Sequence, residues 1–126
     1  MAYEVKITRE FCAAHAIRIR GEMEPVHGHN WNVTVWVRGR ALDEDGLVTD
    51  FHELERALEA VIGPWKNTDL NSISPFDRVN PTAELIAFEI AKGVRRELGI
   101  EPGAAIDVCR VQVSEAPGCF AIYEAD

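Results

Sequence analysis

Several features that classify a protein quickly are scarce in this 126-residue sequence. No apolar run approaches the ~20 residues that a membrane-spanning helix needs, so no membrane partner is expected. Clustered cations of the kind that grip a phosphate backbone are missing, and the formal net charge is -8. Nucleic acid is therefore not an expected partner, although a local basic pocket for a small phosphorylated ligand remains compatible with this composition. Cysteine is sparse. Cys12, Cys109 and Cys119 are odd in number and form no CxxC pair. The first ten residues, MAYEVKITRE, are charged and strand-like, without a signal-peptide apolar region. A reduced, cytoplasmic protein is the expectation. There is no internal repeat, low-complexity segment or interdomain linker, which predicts one domain over residues 1–126. With 47% hydrophobic and 27% charged residues, the chain reads as soluble and globular and has enough length to bury a core.

Hydrophobic periodicity gives the layout. Residues 3–12 alternate as a strand. Residues 31–38, WNVTVWVR, do so more clearly: Trp31, Val33, Val35 and Val37 share one face, and Asn32, Thr34 and Trp36 the other. A D-G turn signal marks a loop in RALDEDGLVTD. Asp50 is a candidate helix cap, with Glu53 completing a box-like pattern. Phe51, Leu54, Leu58, Val61 and Ile62 then form an apolar stripe, and Gly63-Pro64 ends it. WKNTDLNSISPFDRV is a long polar connection. A second amphipathic helix follows in NPTAELIAFEIAKGVRREL, capped by Asn80 or Thr82 and stopped by Gly99. AIDVCRVQVSEA and CFAIYEA close the chain as a hairpin around a Pro-Gly turn. The order β-β-α-α-β-β predicts an α+β fold with an antiparallel four-stranded sheet and both helices on one face. Large apolar groups on the other face, such as Trp31 or Trp36, and open sheet edges point to oligomerisation into a β-barrel.

The chemistry concentrates in histidine. His27 and His29 flank Gly28 at the mouth of a strand, and side chains at i and i+2 of an extended segment point the same way. His15 ends the first strand, and a hairpin would bring it beside that pair. Three neutral imidazoles suit Zn²⁺ and leave a coordination position open. The plainer alternative is a set of surface or core histidines that never meet. His52 falls in the first turn of a helix, where a solvated side chain is the simpler reading.

The segments FCAAH (11–15), HGHNWNVTV (27–35), GLVTDFHEL (46–54), LN (70–71), NPTAE (80–84) and SEAPGCFAIY (114–123) occur in this order along nearly the whole chain. In combination they resemble the 6-pyruvoyl-tetrahydropterin and 6-carboxy-tetrahydropterin synthase family, of the tunnelling or T-fold. The resemblance implies trimers that form a twelve-stranded barrel, usually stacked as hexamers. It implies Zn²⁺ held by His15, His27 and His29. It also implies that Glu115 anchors a pterin, since one carboxylate accepts two adjacent ring N–H groups in parallel. The family substrate is 7,8-dihydroneopterin triphosphate, and the family chemistry uses zinc as a Lewis acid.

Three positions depart from the family pattern. The usual cysteine, four residues before the HGH, is Met23, which moves no proton. The usual Asp-His pair from a neighbouring subunit reads Lys66-Asn67. Three readings follow. First, Glu22 or Glu24, flanking Met23, is the general base, with Lys66 and Asp69 as contributors from the neighbouring subunit; Lys66 could instead hold a phosphate. Relatives with glutamate for cysteine are associated with side-chain cleavage to 6-hydroxymethyl-7,8-dihydropterin. A solvated acidic loop is the plain alternative for both glutamates. Second, the zinc and pterin anchor serve a related pterin or purine-like substrate. Third, the protein binds such a ligand without catalysis. Cys12, three residues before His15, lies on the opposite strand face. Cys109 packs as a small apolar group, and Cys119 is placed near the pocket. Thr82, at a helix N-terminus, is a candidate ligand-binding residue; Arg78 reads as solvated.

Overall fold

Period-two patterning builds the sheet. In the computed structural model, which describes residues 1–126, β1 (Tyr3–His15) and β4 (His27–Gly39) form a long antiparallel pair. Between them β2 (Arg18–Ile19) and β3 (Glu22–Met23) make a small hairpin. Its two turn residues, Arg20 and Gly21, both have positive φ, 52° and 82°, the sense that matches the right-handed twist of strands. β5 (Ile106–Ala116) and β6 (Cys119–Glu124) complete a four-stranded sheet in the order β1-β4-β5-β6. The helices are α1 (Phe51–Ile62) and α2 (Ala83–Leu98).

Both helices cover one sheet face. Trp31, Val33, Val35 and Val37 are fully buried there against Leu54, Leu58, Ile62, Ile86 and Ile90. The opposite face mixes polar residues with exposed Phe120 and Ile122 and with Trp36, which lies between Lys6 and Arg110, whose charged groups are 5.5 Å and 5.0 Å from its ring. The expected α+β architecture is present. No helix is long and apolar enough to cross a membrane.

As expected, the first strand runs to His15 and the second begins at His27, so all three candidate histidines are strand residues. The structure corrects several other local expectations. The β2–β3 hairpin was not predicted. Asp50 caps α1 by accepting from the His52 N–H, but Glu53 pairs with Arg56 instead of reaching back to close a capping box. α1 ends at the expected Gly63-Pro64, but Gly63 keeps ordinary helical angles and opens a 3-10 turn, Gly63–Trp65, instead of taking a left-handed conformation. Thr82, not Asn80, caps α2, and Gly99 ends it at φ 68°.

Gly93 marks the closest approach of the helices. A Cβ built there would lie 2.7 Å from a Val61 methyl. Gly93→Val is expected to destabilise the protein by about 1–3 kcal/mol through overpacking. Chemical denaturation checks this, and an unchanged midpoint would contradict so tight a contact.

Candidate metal centre

The register of β1 against β4 assembles the site. His15 lies directly across from His27, and Ala13 across from His29. Cross-strand partners share a face, as do residues two apart on one strand, so the three imidazoles gather at one end of the helix-covered face. Ring centroids are 4.8 Å apart for His15–His27, 5.0 Å for His15–His29 and 4.7 Å for His27–His29. Trp31, next along the same face, forms the floor, with its ring 4.8 Å from His15 and 5.3 Å from His29. Its indole N–H donates to the Ala13 carbonyl at 3.1 Å, which locks the floor to β1.

Backbone carbonyls set the ring tautomers. The Pro81 carbonyl accepts from His15 Nδ1 at 2.8 Å, and the Pro25 carbonyl accepts from His27 Nδ1 at 2.9 Å. A carbonyl cannot donate, so each Nδ1 carries the proton and each Nε2 keeps a free lone pair. Nε2 of His15 and of His29 are buried without a hydrogen-bond partner. Such orphans are costly unless something occupies them. One candidate ligand atom from each of the three histidines lies within 4.8 Å of the others. Burial holds the His29 pKa below the ordinary imidazole value; the Glu115 carboxylate opposes this, and the other two histidines add to it. A neutral imidazole is the form that binds metal. By donor set, tautomer and orphaned nitrogens, the three residues fit a divalent metal ion such as zinc.

Two carboxylates flank the trio. A register shift in β5 between Ser114 and Ala116 leaves Glu115 outside the ladder. Its Oε2 lies 3.5 Å from His15 Nε2 and 3.8 Å from His29 Nε2. A cavity of about 620 Å³ opens beside it, lined among others by His29, Asn32, Gln112 and Phe120. On the other side Glu24 Oε1 sits 3.6 Å from His27 Nε2 and accepts the Ile17 N–H at 3.1 Å. Of the pair flanking Met23, only Glu24 is brought to the histidines. Glu22 lies on exposed β3, paired with Ile19, and Met23 is 56% exposed.

The remaining candidates lie elsewhere. Lys66 Nζ pairs with Glu59 on α1 at 2.5 Å, so within the chain it faces a helix rather than the histidines. Asp69 caps a 3-10 turn, Leu70–Ser72. Thr82 Oγ1 accepts the Leu85 N–H as the α2 cap. Arg78 and His52 are exposed. Cys12 lies on the face opposite His15, and its thiol donates to Asn30 Oδ1 at 2.8 Å. Cys109 is half-buried, and burial pushes its thiol pKa up. Cys119 is exposed.

Sequence reasoning missed the carbonyls of Pro25 and Pro81, which carry no side-chain signal. It also missed the bonds made by Asn71 and Asn80. Asn71 bonds both backbone groups of Ala16, and Asn80 both of Arg18. A signal for these was present: each asparagine lies in a family-like motif, LN or NPTAE, without an evident chemical role.

Fold and site together define an α+β protein with a strand-borne trihistidine centre and adjacent carboxylates. The 6-pyruvoyl tetrahydropterin synthase family model matches residues 4–126, and the chain belongs to this family. It is 30% identical over 128 residues to 6-carboxy-5,6,7,8-tetrahydropterin synthase of Bacillus subtilis, covering 97% of this chain and 85% of that one. It is 32% identical over 111 residues to an Archaeoglobus fulgidus protein provisionally given the same name, covering 88% and 86%. The fold matches Caenorhabditis elegans 6-pyruvoyl tetrahydropterin synthase with a TM-score of 0.85 at 18% identity, covering 100% of this chain and 97% of that one. It also matches a Plasmodium vivax 6-pyruvoyltetrahydropterin synthase with a TM-score of 0.78 at 20% identity, covering 100% and 99%. That Plasmodium structure carries alanine in place of a glutamate identified there as a catalytic residue.

Replacing His15, His27 or His29 by alanine, one at a time, is expected to weaken uptake of one divalent ion per chain at least about 100-fold, while His52→Ala leaves it intact. Chelator competition measures this. Equal uptake by all four variants would contradict the trihistidine centre.

Proposed function

We propose that the chain is a zinc-dependent pterin enzyme acting on the side chain of 7,8-dihydroneopterin triphosphate or a close relative, and that it cleaves this side chain to leave 6-hydroxymethyl-7,8-dihydropterin. The observation that carries this reading is Glu24, held 3.6 Å from His27 Nε2, while the usual cysteine position is Met23. The catalytic glutamate of the Plasmodium relative supports a carboxylate in this work.

His15, His27 and His29 would hold the ion through Nε2. When bound, it supplies Lewis-acid polarisation of the substrate side-chain hydroxyls. Glu115 accepts two adjacent N–H groups of the pterin ring, which fixes the ring edge. Glu24 is the base. It removes the proton of the 2′ hydroxyl, the C1′–C2′ bond breaks, and the 2′ carbon leaves as an aldehyde. The bonding electron pair passes into the conjugated ring, and a proton returns to C1′. The Ile17 N–H bonded to the Glu24 carboxylate keeps this group aimed at the centre. Lys66 is open to a substrate phosphate of a neighbouring copy only by giving up Glu59.

We further infer assembly into trimers or hexamers. β1 and β6 are the outermost strands, and Phe120 and Ile122 on β6 are 61% and 45% exposed. Joining these edges between copies would close the sheets into a barrel. Light scattering is expected to give a mass of three or six chains; a monomer would contradict this assembly.

The activity test incubates zinc-loaded protein with 7,8-dihydroneopterin triphosphate and follows products by mass spectrometry. A hydroxymethyl pterin is expected, and Glu24→Gln should lower kcat by about 10²–10⁴-fold with little change in KM. A carboxy or pyruvoyl product, or an unchanged kcat in the variant, would contradict the proposal. Substrate that binds and returns unchanged would favour a pterin- or purine-like-ligand-binding protein that has lost the family catalysis.

A further inference from the structure

We propose that Asn71 and Asn80 are positioning residues for the metal pole, acting as a two-point clamp that sets both His15 and Glu24. The proposal rests on the reading that His15, His27 and His29 hold a metal ion.

Residues 16–18 follow the end of β1, and Ala16 and Ile17 belong to no strand. Yet all six of their backbone polar groups are bonded. Ala16 N–H donates to Asn71 Oδ1 at 2.8 Å, and Asn71 Nδ2 donates to the Ala16 carbonyl at 2.8 Å. Arg18 N–H donates to Asn80 Oδ1 at 2.8 Å, and Asn80 Nδ2 donates to the Arg18 carbonyl at 2.9 Å. Ile17, between them, is held by Glu24. Its N–H donates to Glu24 Oε1 at 3.1 Å, and its carbonyl accepts the Glu24 N–H at 3.1 Å.

In an extended chain, successive residues present their backbone groups to opposite sides. Ala16 and Arg18 therefore face the asparagines, and Ile17 faces Glu24. Each asparagine does what one residue of a missing neighbouring strand would do. Only a carboxamide offers donor and acceptor together at this reach; aspartate keeps the acceptor alone and alanine neither.

The clamp reaches the centre by two short paths. Asn80 immediately precedes Pro81, whose carbonyl accepts from His15 Nδ1. Releasing Asn80 frees the segment that fixes the His15 tautomer. Asn71 holds Ala16, the residue after His15, and Asp69 in turn caps the Asn71 N–H at 3.1 Å. Glu24 depends on Ile17, which lies between the two clamped residues. Neither asparagine is within the hydrogen-bonding partners of the histidine rings, so their effect on the centre is indirect.

The test measures Co²⁺ affinity by chelator competition, together with the visible absorption of the bound ion, for Asn71→Ala, Asn80→Ala and a control, Val94→Ala. Val94 is buried in α2 and bonds nothing at the centre. Thermal denaturation of the metal-free proteins accompanies it. Each clamp variant is expected to lose about 10–100-fold in affinity and to show an altered cobalt spectrum. The control should lose stability but keep the affinity and spectrum of the parent. Where the alanine variants do not fold, Asn71→Asp and Asn80→Asp decide, with a smaller loss expected in the same direction. Folded clamp variants with parental affinity and spectrum would overturn the proposal, as would an equal loss in Val94→Ala. A parent that takes up no cobalt would instead overturn the metal reading on which the clamp rests, a failure visible before any variant is made.

Discussion

The register of β1 against β4 is the constraint on which the rest depends. A sheet has a side-chain period of two, so a slip of one residue moves every side chain to the other face. His27 and His29 would then leave the helix-covered face together with Trp31, Val33, Val35 and Val37. The four core residues are fully buried, so their removal from α1 and α2 would cost several times the ~1.5–3 kcal/mol of one large apolar side chain. The same hydrophobic burial that stabilises the fold therefore fixes which imidazoles meet. A metal ion need not gather them: the backbone and Trp31 already do.

The centre sits where regular structure ends. β1 stops at His15, β4 starts at His27, and a register shift in β5 turns Glu115 out of the ladder. At such ends, backbone groups lose their sheet partners and must find others. Here the replacements converge on the histidine trio. Carbonyls from Pro25 and Pro81 orient the rings, while side chains of Asn71, Asn80 and Glu24 take the backbone groups of residues 16–18. The helix–helix connection also docks on the open edge of β1, with the Ala14 N–H donating to the Thr68 carbonyl and the Asn67 N–H to the Cys12 carbonyl. Irregular chain thus serves as edge cover and as scaffold for the site.

Much of this was legible in the sequence. Alternation in WNVTVWVR gave the correct faces for Trp31 through Val37, and the i, i+2 spacing of His27 and His29 gave a shared direction. Odd spacing placed Cys12 opposite His15 correctly. What periodicity does not encode is contact made by backbone or by turns. The β2–β3 hairpin has only two residues per strand, too few to show a pattern. It is nonetheless what separates Glu22 from Glu24 and brings only the second to His27. Thr82 and Asn80 looked interchangeable as caps from spacing alone; tertiary contact with Arg18 assigned Asn80 elsewhere. Spacing alone leaves Lys66 open to chemistry at a distance, whereas a local partner, Glu59, lies seven residues away on α1.

Zinc K-edge X-ray absorption on the zinc-loaded protein shows whether the three Nε2 atoms hold one ion. The predicted spectrum contains three imidazole nitrogen ligands and a light oxygen ligand, with no sulfur. A sulfur ligand, or fewer than three imidazoles, would contradict the account.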